Sequence, residues 1–197
     1  MPGRDLAVDG DPARVFCEVL RERPENPENL RTGGVRGDPA PRTTRFRPVS
    51  VVIASIDIAA PIQDVWDSIM DPACIREWVT IVDSIDYVDP GPIRPGFRMD
   101  QTLHLRGVRF KVRWTLAQVH APTYARWEGT GPARSTAVTE DRLSARNGHT
   151  RFDYHNEFRT PFGPLGAAAS KVIVGGIPDK EANASLRRLK EILEVRQ

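Results

Sequence analysis

The sequence predicts an α+β domain, a curved antiparallel β-sheet wrapped around a long C-terminal helix, with two short helices after the first strand. Three observations carry this expectation. Strand-like runs follow one another from residue 81 to residue 158 with only short turns between them. Short connections force antiparallel neighbours, because a parallel pair needs a long crossover. Two of those runs alternate between apolar and charged residues, so the sheet has one face for a core and one for water. A long amphipathic helix near the C-terminus is the element available to cover the apolar face.

The elements follow in order. Ser50 to Ile58 is β-branched and alternates in its later part, which reads as a strand. Pro61 opens a helix whose Ile62, Val65, Trp66, Ile69 and Met70 fall on one stripe. Asp71-Pro72 joins an N-cap side chain to a proline suited to the first helical position, and starts a shorter helix through Trp78. The meander then occupies 81–88, 97–106, 108–119, 123–129, 135–145 and 150–158. Its turn signals are Asp89-Pro90-Gly91-Pro92, Pro95-Gly96, Arg106-Gly107, Ala121-Pro122, Gly129-Thr130-Gly131 and Asn147-Gly148, the last being the strongest hairpin signal. A helical piece from Leu165 to Val174 is interrupted by Gly175-Gly176 and Pro178. A longer piece runs from Asp179 to Val195, with Ala182, Ser185, Leu186, Leu189, Ile192 and Leu193 as its buried stripe.

Residues 1–47 differ from the rest. Seven of the 17 prolines fall at positions 2, 12, 24, 27, 39, 41 and 48, and residues 21–47 hold few large apolar side chains. Such a segment buries too little surface to offset chain entropy and is expected to be a disordered extension. Within it, Asp11-Pro12 and the shared face of Val15, Phe16, Val19 and Leu20 suggest a short helix over 11–23. Alone that helix is marginal; docked on a partner it would make the chain a regulatory protein. The domain itself is expected over 48–197.

Composition excludes several functions. The 28 Lys+Arg nearly balance 26 Asp+Glu, for a net charge of +2, where a nucleic-acid binder shows a clustered basic excess. No apolar run is long enough for a membrane span, and the N-terminus lacks a signal-peptide core. Cys17 and Cys74 cannot make a disulfide scaffold, and His104, His120, His149 and His155 are scattered, so no metal is expected. No GxSxG, P-loop or GxGxxG is present. The expectation is a cytoplasmic protein, monomer or homodimer, without cofactor. The excess of Arg over Lys fits a GC-rich bacterial genome.

The alternation points to an interior. Val108, Phe110, Val112, Trp114 and Leu116 share one face, with Arg109, Lys111, Arg113 and Thr115 opposite. Phe152, Tyr154, Asn156 and Phe158 likewise oppose Arg151, Asp153, His155 and Glu157. Polar residues on the apolar parity are the candidates for chemistry, since a buried amide either pairs structurally or lines a cavity. They are Gln101 between Met99 and Leu103, Asn156 between Tyr154 and Phe158, and Gln118 after Leu116. For 135–145 two parities stand open. Leu143 inward brings Thr139 and Asp141 inward, and a desolvated Asp141 could act as acid or base; Val138 argues for the opposite face. Trp114 and Trp127, both mid-strand, are candidate ligand contacts.

The stretch IDIAAPIQDVWDSIMDPACIREWV, with its alanine-proline helix start, Trp, Asp-Pro and second Trp, resembles the opening signature of the START and Bet v 1-like (SRPBCC) superfamily. NGHTRFDYHNEFRTPFGPLG is similar to its closing signature. The element order resembles that superfamily's helix-grip fold, over roughly residues 50–195, and within it the polyketide cyclase/dehydrase-like group. The resemblance implies a deep apolar cavity between sheet and helix. It also implies that Trp66 and Trp78 are structural. Similar proteins include polyketide aromatase/cyclases, lipid and sterol carriers, quinone-binding proteins and hormone receptors, so fold alone does not select an activity. In similar cyclases an interior Arg orients the substrate; here Arg126 is expected to face outward.

The function expected from these readings is binding of a hydrophobic, partly oxygenated small molecule, with polyketide-type cyclisation or dehydration as the chemistry. Tyr154, Asn156 and Gln101 would hold carbonyl or enolate oxygens, with either Asp141 or water alone as the base. Met99, Leu103, Phe110, Trp114, Trp127, Phe152 and Phe158 would line the ligand site. The alternative is a non-catalytic carrier or sensor of a lipid, quinone or polyketide. A carrier needs only an apolar lining; an enzyme needs a buried acid or base beside the amides.

Overall fold

The structure, a computed structural model, describes residues 49–160 and 177–195. The expected extension over 1–47, its helix at 11–23 and the helical piece at 165–174 lie outside the described residues.

The chain order is β1 (Val49–Ile58), α1 (Ile62–Met70), α2 (Pro72–Trp78), β2 (Val82–Val88), β3 (Arg98–Leu105), β4 (Val108–His120), β5 (Tyr124–Thr130), a short 3-10 turn (Pro132–Arg134), β6 (Thr136–Arg146), β7 (His149–Arg159) and α3 (Ile177–Val195). All seven strands form one curved antiparallel sheet in the order β1-β7-β6-β5-β4-β3-β2. This is the predicted α+β helix-grip architecture, with strand limits within about two residues of those expected.

Local chemistry explains the elements. In α1, Val65, Trp66, Ile69 and Met70 are the buried residues. Asp71 caps α2 by accepting a hydrogen bond from the Ala73 N–H at 2.9 Å. Two hairpins close through two-residue turns in which both residues have positive φ: Arg106 at 52° with Gly107 at 78°, and Asn147 at 45° with Gly148 at 82°. This is the turn whose twist matches that of the flanking strands.

Helix α3 packs along β1 and closes the open face of the sheet. Its Leu186, Leu189 and Leu193 join a core that includes Ile58, Val65, Trp66, Phe97, Leu116 and Phe152. Polar contacts pin it at both ends. The Ala59 N–H donates to Glu194 Oε1 at 2.7 Å, and Lys190 Nζ donates to the Asp57 carbonyl at 2.7 Å. At the other end, Thr80 Oγ1 donates to Glu181 Oε2 at 2.7 Å and the Thr80 N–H donates to Ser185 Oγ at 3.0 Å.

Two expectations are corrected. Gln118 is exposed, because a bulge after Leu116 shifts the pairing so that Gln118 stands opposite Arg126 on the outer face. Val119 takes the inward parity and packs against the core. Gly129 is also not in a turn. It lies within β5, opposite Trp114 on one side and Ala137 on the other.

Candidate functional site

The site grows from the inward-facing residues of β3 to β7. Register places Thr139 beside Asn156 and Asp141 beside Tyr154 on the adjacent strands β6 and β7. Four polar side chains therefore form a square on an otherwise apolar sheet face. Asn156 Nδ2 donates to Thr139 Oγ1 at 2.8 Å and to Tyr154 Oη at 3.1 Å. The Tyr154 oxygen thus already accepts a bond, which leaves its O–H free to donate. On β3, Gln101 is buried; its Oε1 accepts from Trp114 Nε1 at 3.1 Å, and its Nε2 lies 3.5 Å from Met99 Sδ.

Asp141 is 7 % exposed, and among the described residues no donor reaches its carboxylate. Burial, and then the charge of neighbouring Glu140, push its pKa up to about 7. Burial and the Asp141 charge push the Tyr154 phenol up to about 12. The inward parity of Asp141 is fixed from behind. Glu140, facing out, accepts from Arg126 Nη1 at 2.7 Å, Arg142 Nη2 at 2.9 Å and Tyr124 Oη at 3.2 Å. Opposite Asp141, the small Ala125 is fully buried and fills little of the space.

Two lobes of open space adjoin these groups. An inner lobe of about 140 Å³ is lined by Asp141, Thr139, Tyr154, Asn156, Gln101 and Trp127, among others. An outer lobe of about 160 Å³ runs toward α3, past Phe110, Val112 and Phe158, to Glu181 and Ser185. Trp78, Leu103, Trp114, Tyr154 and Asn156 line both, so the two are parts of one cavity between sheet and helix.

Of the predicted site residues, the structure gathers Asp141, Tyr154, Asn156, Met99, Gln101, Leu103, Trp114 and Trp127 around the inner lobe. Phe110 and Phe158 line the outer one. Phe152 lines neither; it is fully buried, packed edge-on against both Trp78 and Tyr154. Arg126 faces outward, as expected, in its ion pair with Glu140.

The sequence reading missed two residues. Trp78, read as structural, walls both lobes, and its buried Nε1–H has no hydrogen-bond partner among the described residues. Gly129 is the second. A Cβ there would lie 2.7 Å from the Trp114 ring, so the missing side chain is what lets that indole lie against the sheet. No sequence signal marks the Trp78 donor. The outward Trp114 neighbours and the inward parity of Gly129 could have indicated the second.

The described residues contain no group of three His, Cys, Asp or Glu placed to hold a metal, and no helix long and apolar enough to cross a membrane.

The family model described as polyketide cyclase/dehydrase and lipid transport matches residues 50–194. The chain belongs to this family. It is a Bet v 1-like SRPBCC protein of the polyketide cyclase/dehydrase group. An uncharacterized protein of Mycobacterium tuberculosis is 23% identical over 131 residues, covering 64% of this chain and 92% of that protein. Among solved structures, a protein from Thermus thermophilus matches with a TM-score of 0.63 at 15% identity, over 75% of this chain and 99% of the other. Ara h 8.0201 matches with a TM-score of 0.52 at 11% identity, over 75% and 99%. A protein of the dynemicin biosynthetic locus matches with a TM-score of 0.52 at 15% identity, over 75% of this chain and 48% of its own. At these identities the structural likenesses establish the fold of this SRPBCC domain and not its chemistry.

Proposed function

We propose that this SRPBCC protein binds a hydrophobic, oxygenated small molecule in the cavity and catalyses proton abstraction next to a carbonyl, the first step of polyketide-type cyclisation or dehydration. The observation that carries this reading is the buried carboxylate of Asp141 beside Tyr154 and Asn156 in one lobe. A carrier has no use for a buried acid without a protein partner, whereas a base poised near neutral pH suits catalysis. The membership of the family supports the same chemistry.

In the proposed step the ionised Asp141 takes a proton from the carbon α to a ligand carbonyl. The C–H electron pair moves into an enolate, whose oxygen receives the free Tyr154 O–H as a hydrogen bond. Gln101, whose Nε2 lies 3.5 Å from Met99 Sδ, has a second N–H on that nitrogen and lines the same lobe. The phenol stays protonated throughout, since its pKa of about 12 lies well above that of Asp141. The enolate carbon then attacks a second carbonyl of the same chain, and the alkoxide so formed recovers the proton from Asp141. The protein supplies water exclusion, chain folding and a fixed set of donors.

Deuterium incorporation tests this reading with a bicyclic ketone, α-tetralone, as the probe in D2O. The expected result is exchange at the α-carbon that rises with pH toward a plateau above about pH 7, following Asp141, and is lost in Asp141→Asn. Binding of the ketone without exchange above the buffer rate would overturn catalysis and leave a carrier.

A further inference from the structure

We propose that the cavity is a charge filter: it admits uncharged oxygenated ligands and rejects those carrying a free carboxylate. The proposal rests on the reading of the cavity as the ligand site, and names the class of ligand that site takes.

The charges around the cavity carry the argument. Among the described residues that line its two lobes there is no Lys, Arg or His. The two charged side chains are both acidic, Asp141 in one lobe and Glu181 in the other. A carboxylate ligand in either lobe would therefore share it with a carboxylate, and no cation stands among the described lining residues. The basic residues of the neighbouring strands do not help. Arg126 is tied to Glu140 at 2.7 Å and Arg113 is exposed, both on the far side of the sheet. Desolvating an anion without a partner is costly, and like charges in a low-dielectric space repel strongly.

The polar groups that remain are suited to neutral oxygens. Tyr154 O–H and Gln101 Nε2–H are donors for carbonyl, hydroxyl or ester oxygens. Each is a neutral donor, adequate for a dipole and too weak to offset the burial of a full negative charge. The lining is otherwise apolar, with the indoles of Trp78, Trp114 and Trp127.

The groups that face Asp141 set how the filter responds to pH. From β7 it is Tyr154, which stays neutral; from β5 it is Ala125; from α1 and α2 come Ile69, Ile75 and Trp78; from β3, Gln101. Glu140 stands behind it on the outer face, and Glu181 of α3 lines the other lobe. No cation opposes it among these groups, so protonating Asp141 removes the repulsion in the inner lobe.

The test is calorimetric titration with a matched pair on one ring system, 2-(1-naphthyl)ethanol and 1-naphthylacetate, at pH 8 and pH 6. At pH 8 the alcohol is expected to bind at least about tenfold more tightly, the size of an unscreened like-charge contact. At pH 6 the carboxylate should gain several-fold while the alcohol changes by less than about twofold. Asp141→Asn should give the pH 6 ratio at both pH values, with the fold checked by circular dichroism. Equal or tighter binding of the carboxylate at pH 8 overturns the filter while leaving the ligand site intact. A ratio unaltered by both pH and Asp141→Asn overturns the role of Asp141. Failure of the alcohol itself to bind overturns the ligand site, and the filter with it.

Discussion

Glu140 and Asp141 are adjacent carboxylates on one strand, and the sheet puts them in opposite environments. Burial pushes the Glu140 pKa up, but hydrogen bonds from Arg142, Arg126 and Tyr124 outweigh it and hold the group below its ordinary value. Asp141 has burial and no donor among the described residues, and rises to about 7. The same functional group is thus a structural anion on one face and a titratable acid on the other. The difference comes from which partners each face supplies: the outer face pairs its carboxylate with cations, and the inner face leaves one unpaired, among the described residues, beside a cavity.

The largest expected effect is on Asp141. Asp141→Asn should reduce α-proton exchange by ~10²–10⁴-fold, the usual contribution of a positioned base. The same residue should tilt stability with pH. A carboxyl whose folded pKa is raised binds its proton more tightly in the native state than in the unfolded one. Its contribution is therefore fully present below the ordinary carboxylate pKa of 3.8 and is lost as pH rises through about 7. The gap corresponds to roughly 4 kcal/mol at most. Urea midpoints at pH 5 and pH 8 should differ less in Asp141→Asn than in the parent. Identical pH dependence in both would place the Asp141 carboxylate in water.

Next in size is Gly129→Ala, which sharpens the comparison by disturbing only the inner face. The added Cβ would stand 2.7 Å from the Trp114 ring. The indole must swing into the cavity, at a cost of ~1–3 kcal/mol in stability and with weaker binding of α-tetralone. A variant with unchanged denaturant midpoint and unchanged affinity would mean that Trp114 has free space elsewhere.

Tyr154→Phe and Asn156→Leu follow. Each should keep the fold and lower ligand affinity or turnover by ~1–3 kcal/mol, the cost of a polar contact left unmet. Loss of stability with unaltered binding per folded molecule would make the Thr139–Asn156–Tyr154 bonds purely structural.

The smallest effect belongs to the outer face. Glu140→Gln should cost about 1 kcal/mol at low salt and less at high salt, because exposed pairs are screened. Its sign with pH is opposite to that of Asp141: the contribution of Glu140 is present above its unfolded pKa and is lost as pH falls through the folded one. Exchange at the high-pH plateau should be retained, with the rise moved to lower pH, because the Glu140 charge is one of the two causes that raise Asp141.

Much of this contrast was legible in the residues themselves. The alternation of β4 and β7 gave Trp114, Tyr154 and Asn156 their inward parity, because a strand's side chains simply take turns. The parity of β6 did not follow from its own composition, where Val138 and Leu143 conflict. It did follow from the turn. A two-residue Asn147-Gly148 hairpin pairs Arg146 with His149, and counting back pairs Asp141 with Tyr154 and Leu143 with Phe152. Directly paired residues share a face, so the parity of β7 fixes that of β6. Gln118 was misplaced for the converse reason. A bulge inverts parity, and nothing in Leu116-Ala117-Gln118 announces one. The unpartnered Trp78 N–H was invisible because it depends on what fails to surround the ring.

The contacts from Thr80 to Ser185 and Glu181 join segments more than 100 residues apart. They tie one end of α3, which follows every strand in the chain, to the segment between α2 and β2. Until α3 docks, the sheet presents to water the apolar face that Leu186, Leu189 and Leu193 cover. A ligand that binds only the closed form then adds its binding energy to the docking step.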